Sequence, residues 1–241
     1  MSRRHDQSQH FLKHPSIVEG LFKLTELSSS DVVYDIGAGS GVITSVMSNK
    51  VRRVVAIENE PAALSLLQQN LANRTNIEIL DRDFMHLSLP VDDYAIFSNI
   101  PFHLSSSIVR RLTLSPKSPE IMYLIVQKQF ADKLLIERSN FIGSLGATIA
   151  PWFTVRVLAS LKRSDYTPPP NVDTVFIEVR PRLNPPLDSS FKQKFAEFID
   201  KAYGDLGYFK QLPLETAGLD TGSRPSRLSL TQWLILFNSR D

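Results

Sequence analysis

Cysteine is absent from this chain of 241 residues, which excludes disulfides and thiolate metal sites. Long apolar runs are missing too: no stretch of about 18 apolar residues could span a bilayer, and the basic, polar start Met1-Ser2-Arg3-Arg4-His5-Asp6-Gln7 is followed by no signal core. A cytoplasmic protein without membrane association is therefore expected. Internal repeats and extended low-complexity segments are also lacking. What remains is ample apolar material, 42% of the residues, enough for one full-sized domain and a small appendage.

The net charge of +2 is unevenly spread. Residues 1–102 carry 9 Lys/Arg against 12 Asp/Glu, residues 103–182 carry 11 against 6, and the remainder carries 7 against 7. A polyanionic partner would account for the basic middle segment, as would an ordinary solvated surface.

The first helix is expected from Pro15, with Ile17, Val18, Leu21, Phe22 and Leu24 on one face. After Ser28-Ser29-Ser30, strand and helix patterns alternate. Asp31–Ile36, Val54–Ile57, Asn76–Leu80, Tyr94–Phe97 and Ile121–Val126 are short β-branched or apolar runs. Helical patterns separate them. That alternation predicts an α/β fold with a parallel sheet covered on both faces, and ligands in such sheets bind beyond the carboxyl ends of the strands. Phe153–Leu161 and Val172–Val179 have no room for a crossover helix between them, so they should pair antiparallel and complete a mostly parallel seven-stranded sheet. The Pro-rich break from Arg180 to Pro186 marks a domain boundary, giving 1–180 as a cofactor-binding catalytic domain and 181–241 as a small all-helical one. The helical stripes are Phe191, Phe195, Phe198 and Ile199, then Leu230, Trp233, Leu234 and Phe237.

The chemistry-bearing residues fall at strand ends. Asp35-Ile36-Gly37-Ala38-Gly39-Ser40-Gly41 follows the first strand, and its glycines let backbone approach a ligand closely. A dinucleotide fingerprint would need glycine where Val42 stands. S-adenosylmethionine suits the loop better, with Glu58 accepting from both ribose hydroxyls and Asp83, beside Phe84, accepting from the adenine amine. Alone, either acid could simply initiate a helix. At the fourth strand end, Ser98-Asn99-Ile100-Pro101-Phe102-His103 offers two acceptors for an exocyclic amine, the Asn99 side-chain oxygen and the Ile100 carbonyl. Drawing the amine hydrogens out of plane frees a lone pair otherwise delocalised into the ring. Pro101 stiffens the loop and Phe102 offers a stacking face. In isolation these would be a turn residue and a core aromatic. A base within a duplex would have to be flipped out to reach them. Tyr166, before Pro168-Pro169-Pro170, is a candidate second stacking face. Arg110, Arg111, Lys128, Lys133, Arg138, Arg156, Lys162 and Arg163 are candidates for phosphate contact as a population. A metal site is not expected.

In this order these residues resemble the rRNA adenine-N6 methyltransferases, a group that includes the Erm macrolide-resistance enzymes and the KsgA/Dim small-subunit dimethylases. Gln9-His10-Phe11-Leu12 resembles their N-terminal cofactor motif, Asp35 to Gly41 their glycine loop, Asn99 to Phe102 their catalytic loop and Tyr166 to Asp173 their Pro-rich segment. The resemblance implies a Rossmann-like class I methyltransferase that binds S-adenosylmethionine through Gln9, His10, Leu12, Asp35, the three glycines, Glu58, Asn59, Asp83, Phe84 and Asn99. The ending Ser229 to Ser239 resembles Erm proteins, which implies a monomer that methylates one adenine of 23S rRNA, once or twice, and so blocks macrolide, lincosamide and streptogramin B binding. A KsgA-type 16S rRNA dimethylase, a non-catalytic nucleic-acid-binding relative and a DNA adenine or protein glutamine methylase are the alternatives. His10 stands where Asn is usual, Phe102 where Tyr is common, His103 where Asn often follows and Asp35 where Glu is frequent.

Overall fold

The computed structural model describes residues 10–136 and 141–239. In chain order it runs β1 (Phe11–Leu12), α1 (Pro15–Phe22), β2 (Val32–Ile36), α2 (Val42–Met47), β3 (Arg53–Glu58), α3 (Pro61–Leu71), β4 (Ile77–Asp81) and β5 (Ala95–Asn99). Next come α4 (Ser105–Leu114), β6 (Ile121–Gln127), α5 (Lys128–Leu134), α6 (Ser144–Ile149), β7 (Phe153–Leu161), β8 (Tyr166–Thr167) and β9 (Thr174–Pro181). The last helices are α7 (Lys192–Gly204), α8 (Leu206–Gln211) and α9 (Leu230–Asn238). Among the described residues no helix is long and apolar enough to cross a membrane.

Seven strands form one sheet in the order β4-β3-β2-β5-β6-β9-β7. β2, β3, β4, β5 and β6 are parallel to their neighbours, and β9 runs antiparallel to β6. The expected α/β architecture with a mostly parallel seven-stranded sheet is thus what the chain adopts. The central strands are buried on both faces, which is why β6 reads Ile-Met-Tyr-Leu-Ile-Val without alternation. Phe97, Tyr123 and Phe176 from β5, β6 and β9 pack in mutual contact, with ring centroids 5.2–6.4 Å apart.

Two compact units divide the chain. The first comprises residues 1–128 and 156–180, and the second 129–155 and 181–241. The sequence-based boundaries, 1–180 and 181–241, differ from this grouping in 129–155, because α6 packs against α7 within the second unit. The Phe195 ring lies 5.0 Å from Phe237, and Phe198 lies 5.8 Å from Trp233, so the stripes on α7 and α9 face each other. Each such pair contributes about 0.5–1.5 kcal/mol beyond the area it buries.

A separate two-stranded pairing, absent from the sequence expectations, joins β1 to β8 antiparallel, Phe11 opposite Thr167 and Leu12 opposite Tyr166. It ties the N-terminal segment to the Pro-rich one.

Candidate active site

Because β4, β3, β2 and β5 are adjacent and parallel, their carboxyl ends line up along one rim. Asp83, Glu58, Gly37 and Asn99 sit at or just past these four ends, and all four line one cavity of about 600 Å³. Strand order reverses direction between β2 and β5, the place where open α/β sheets leave a crevice. Here the ladder runs through Val33 opposite Ala95 and Tyr34 opposite Ile96. Beyond it the buried Ser98 hydroxyl takes over, accepting from the Ile36 N–H at 3.1 Å and donating to the Ile36 carbonyl at 2.6 Å. Sequence reasoning gave Ser98 no role; its one signal was a polar residue inside an apolar strand.

The glycine loop is shaped by what lies against it. Gly37 has φ +71°, and a Cβ there would stand 3.1 Å from the Pro101 ring, so the loop and the Asn99-Ile100-Pro101-Phe102 segment pack backbone to ring. At Gly39, φ +58°, a Cβ would lie 2.5 Å from the Phe11 ring. Gly41 is the N-cap of α2. Of the three, Gly37 lines the cavity; the other two hold the loop against Phe11 and α3.

Glu58 is buried and organises the loop. Its Oε2 accepts from the Gly39 N–H at 2.8 Å, and its Oε1 accepts from the Asn59 and Glu60 N–H groups at 2.9 and 2.8 Å. A carboxylate oxygen can accept two bonds, so Oε2 keeps capacity for a ligand hydroxyl. Asp83 caps the turn that follows β4 by accepting from the Met85 N–H at 2.8 Å, and its other oxygen meets the His86 ring at 3.0 Å. Asn59 and Phe84 also line the cavity.

At the end of β5, the Asn99 side-chain amide donates through Nδ2 to the His10 carbonyl at 2.8 Å. Because a carbonyl can only accept, this bond fixes which way the amide points. Oδ1 is left buried and without a partner. Leaving such an acceptor unpaired costs about 1–3 kcal/mol. Ile100, Pro101, Phe102 and His10 line the same cavity.

Several expected site residues stand elsewhere. Leu12 is in the hydrophobic core and pairs with Tyr166, away from the cavity lining. Asp35 is buried beneath the loop, where its Oδ2 accepts from the Thr44 hydroxyl at 2.7 Å and its Oδ1 has no partner. Burial pushes its carboxyl up to about 7, helped by the nearby Glu58 charge and opposed by the Thr44 hydrogen bond. Tyr166 offers no stacking face: it is 0% exposed, and its hydroxyl is 2.7 Å from that of Thr174. Arg111 is committed to the chain after Asp83, donating to the Met85 and Leu87 carbonyls and lying 5.4 Å from the Phe84 ring centroid. Arg156 pairs with the buried Glu178, and Arg163 with Asp173. Lys128 and Lys162 are exposed, Arg110 lies on α4 and Lys133 on α5. Gln9 and Arg138 lie outside the described residues. Among the described residues no cluster of His, Asp and Glu could hold a metal ion.

A sequence profile described as ribosomal RNA adenine dimethylase matches residues 1–204. The chain belongs to that family. Among curated members of the ribosomal RNA adenine dimethylases, it is 28% identical over 245 residues to an rRNA adenine N-6-methyltransferase of Bacillus licheniformis, covering 96% of this chain and 85% of that one. It is 33% identical over 188 residues to the dimethyladenosine transferase of Eremothecium gossypii, covering 76% of this chain and 59% of the relative. Among solved structures, the 23S rRNA methyltransferase ErmE superposes with a TM-score of 0.78 at 23% identity, covering 95% of this chain and 98% of that one. A dimethyladenosine transferase from Plasmodium falciparum gives 0.74 at 20% identity, covering 94% and 96%. These likenesses establish the Rossmann-like methyltransferase fold.

Proposed function

We propose that the protein transfers methyl groups from S-adenosylmethionine to the N6 amine of one adenine in 23S rRNA, once or twice, and so confers resistance to macrolides, lincosamides and streptogramin B. The observation that carries the chemistry is the buried, unpartnered Oδ1 of Asn99 on the wall of the cavity. It suits an amine hydrogen. The Ile100 carbonyl would accept the second, so that both hydrogens leave the base plane and the nitrogen lone pair turns toward its electrophile. Phe102 would hold the flipped base by stacking, and the cationic amine formed on transfer would lose its proton to water, since Asn99 is no base.

The residues present fit the cofactor. Gly37, Glu58, Asn59 and Asp83 share the cavity with Asn99. Glu58 would accept the ribose hydroxyls and Asp83 the adenine amine, and Gly37 would lie against the methionine end. Bound there, S-adenosylmethionine supplies a methyl group on positively charged sulfur. Proximity and electrostatic placement by the protein supply the rate. A monomer acting in the cytoplasm completes the reading.

The choice of 23S rRNA rests on the resemblance of Ser229 to Ser239 to Erm proteins, while the match to the Bacillus rRNA adenine N-6-methyltransferase, over 96% of this chain and 85% of that one, supports an rRNA adenine as substrate. The alternative is an adenine of the small-subunit RNA, as in the KsgA/Dim branch of the resemblance; the 33% identity to the Eremothecium dimethyladenosine transferase supports an adenosine substrate and does not choose between the two RNAs. Labelled methyl transfer separates them: incorporation is expected into protein-free 23S rRNA. Incorporation into 16S rRNA or immature small subunits alone would overturn the 23S assignment.

A further inference from the structure

We infer that the imidazole of His10 is a positioning residue for the target base, bracing Phe102, rather than a cofactor contact. The inference rests on the reading of this site as an RNA adenine methylase.

His10 immediately precedes β1, where successive side chains turn to opposite sides. Phe11 lies against Gly39 of the cofactor loop. The His10 ring lies beside Phe102. Its centroid is 5.6 Å from that of Phe102, with the planes 31° apart. The ring is anchored, because His10 Nδ1 lies 2.9 Å from the Pro168 carbonyl oxygen. That oxygen can only accept, so Nδ1 carries the proton and the imidazole cannot turn without breaking the bond. Phe102 is therefore bordered by an anchored ring on one side and joined on the other to Pro101, which rests on Gly37. The His10 main chain reaches the same loop through its carbonyl, which accepts from Asn99 Nδ2 at 2.8 Å. One residue thus steadies both the acceptor for the amine and the platform for the base, and it links them through Pro168 to the β1–β8 pair. Its backbone part survives substitution; its ring part does not.

The division of labour makes the test specific. In His10→Ala the RNA KM should rise about tenfold, part of what an aromatic platform contributes to base stacking, while affinity for S-adenosylhomocysteine stays within about twofold. His10→Asn should behave like His10→Ala toward RNA, because a polar group of that length supplies no ring. His10→Phe should recover much of the loss. A 23S rRNA fragment carrying 2-aminopurine at the target position gives a second readout: its fluorescence should be quenched on binding the wild type and less so on binding His10→Ala. Weakened cofactor binding in His10→Ala with RNA KM and quenching unchanged would overturn the inference, as would a lowered Tm with both constants at wild-type values. If the wild-type protein methylates the RNA and His10→Ala matches it, the inference alone fails. A wild type that neither binds nor methylates the RNA would overturn the functional reading and this inference with it.

Discussion

Glu58 and Asn99 stand at the ends of strands separated only by β2, yet their acceptors are in opposite states. The Glu58 carboxylate already takes three backbone N–H groups from the loop and helix start around it. Asn99 Oδ1 takes none. At Glu58 the protein's own hydrogen bonds fix the shape of the glycine loop and of the start of α3. At Asn99, the single bond from Nδ2 to the His10 carbonyl fixes the amide's direction and leaves its oxygen unpartnered. On the proposed function, the difference is that between a binding wall and a reacting one.

The comparison breaks most visibly at Asn99. Asn99→Ala should lower kcat by about 10²–10³-fold, the usual cost of removing one preorganised polar group from a reacting centre, with cofactor affinity nearly unchanged. Loss of cofactor affinity at unchanged kcat would place Asn99 on the binding wall. Glu58→Ala should show the reverse pattern: cofactor affinity weakened about 10–100-fold, as expected for charged hydrogen bonds, with kcat at saturating cofactor much less affected. Calorimetry with S-adenosylhomocysteine reads the first quantity and single-turnover methyl transfer the second.

Asp35 gives a pH-dependent version of the same contrast. Its folded-state value, about 7, lies above the ordinary 3.8, so the neutral acid is the form the fold favours. The stability it contributes is fully present below about 4 and is lost as pH rises toward about 7. Asp35→Asn should flatten that slope in denaturant titrations across this window. The smallest effect is expected at Tyr166. Tyr166→Phe removes the contact with Thr174 and should cost about 1 kcal/mol of stability, with RNA KM unchanged, since the ring is in the core. A raised KM would return Tyr166 to the substrate side.

Much of this site was legible in the sequence because the strands that carry it are unbroken β-branched or apolar runs, so their ends, and the residues placed there, could be numbered. Gly37, Glu58, Asp83 and Asn99 are brought together for that reason. What was not legible depends on contacts without period. β1 and β8 are two residues long each, too short to show an alternation, yet Leu12 and Tyr166, which face each other across the pair, belong to the hydrophobic core. Arg111 reads as surface charge on α4 until the chain after β4 folds under it. The helical unit's share of 129–155 left no mark, since the Pro-rich break signals only where the chain enters that unit again.

The most direct test asks which atom receives the methyl. Protein-free 23S rRNA treated with the protein and S-adenosylmethionine should yield N6-methyladenosine or N6,N6-dimethyladenosine when one portion is digested to nucleosides. That signal should be lost when the one adenine, located in a second, undigested portion by site-directed cleavage, is cut out. Methylation at a ring carbon, or at no 23S adenine, would contradict the account, because the free Asn99 oxygen would then have no amine to receive.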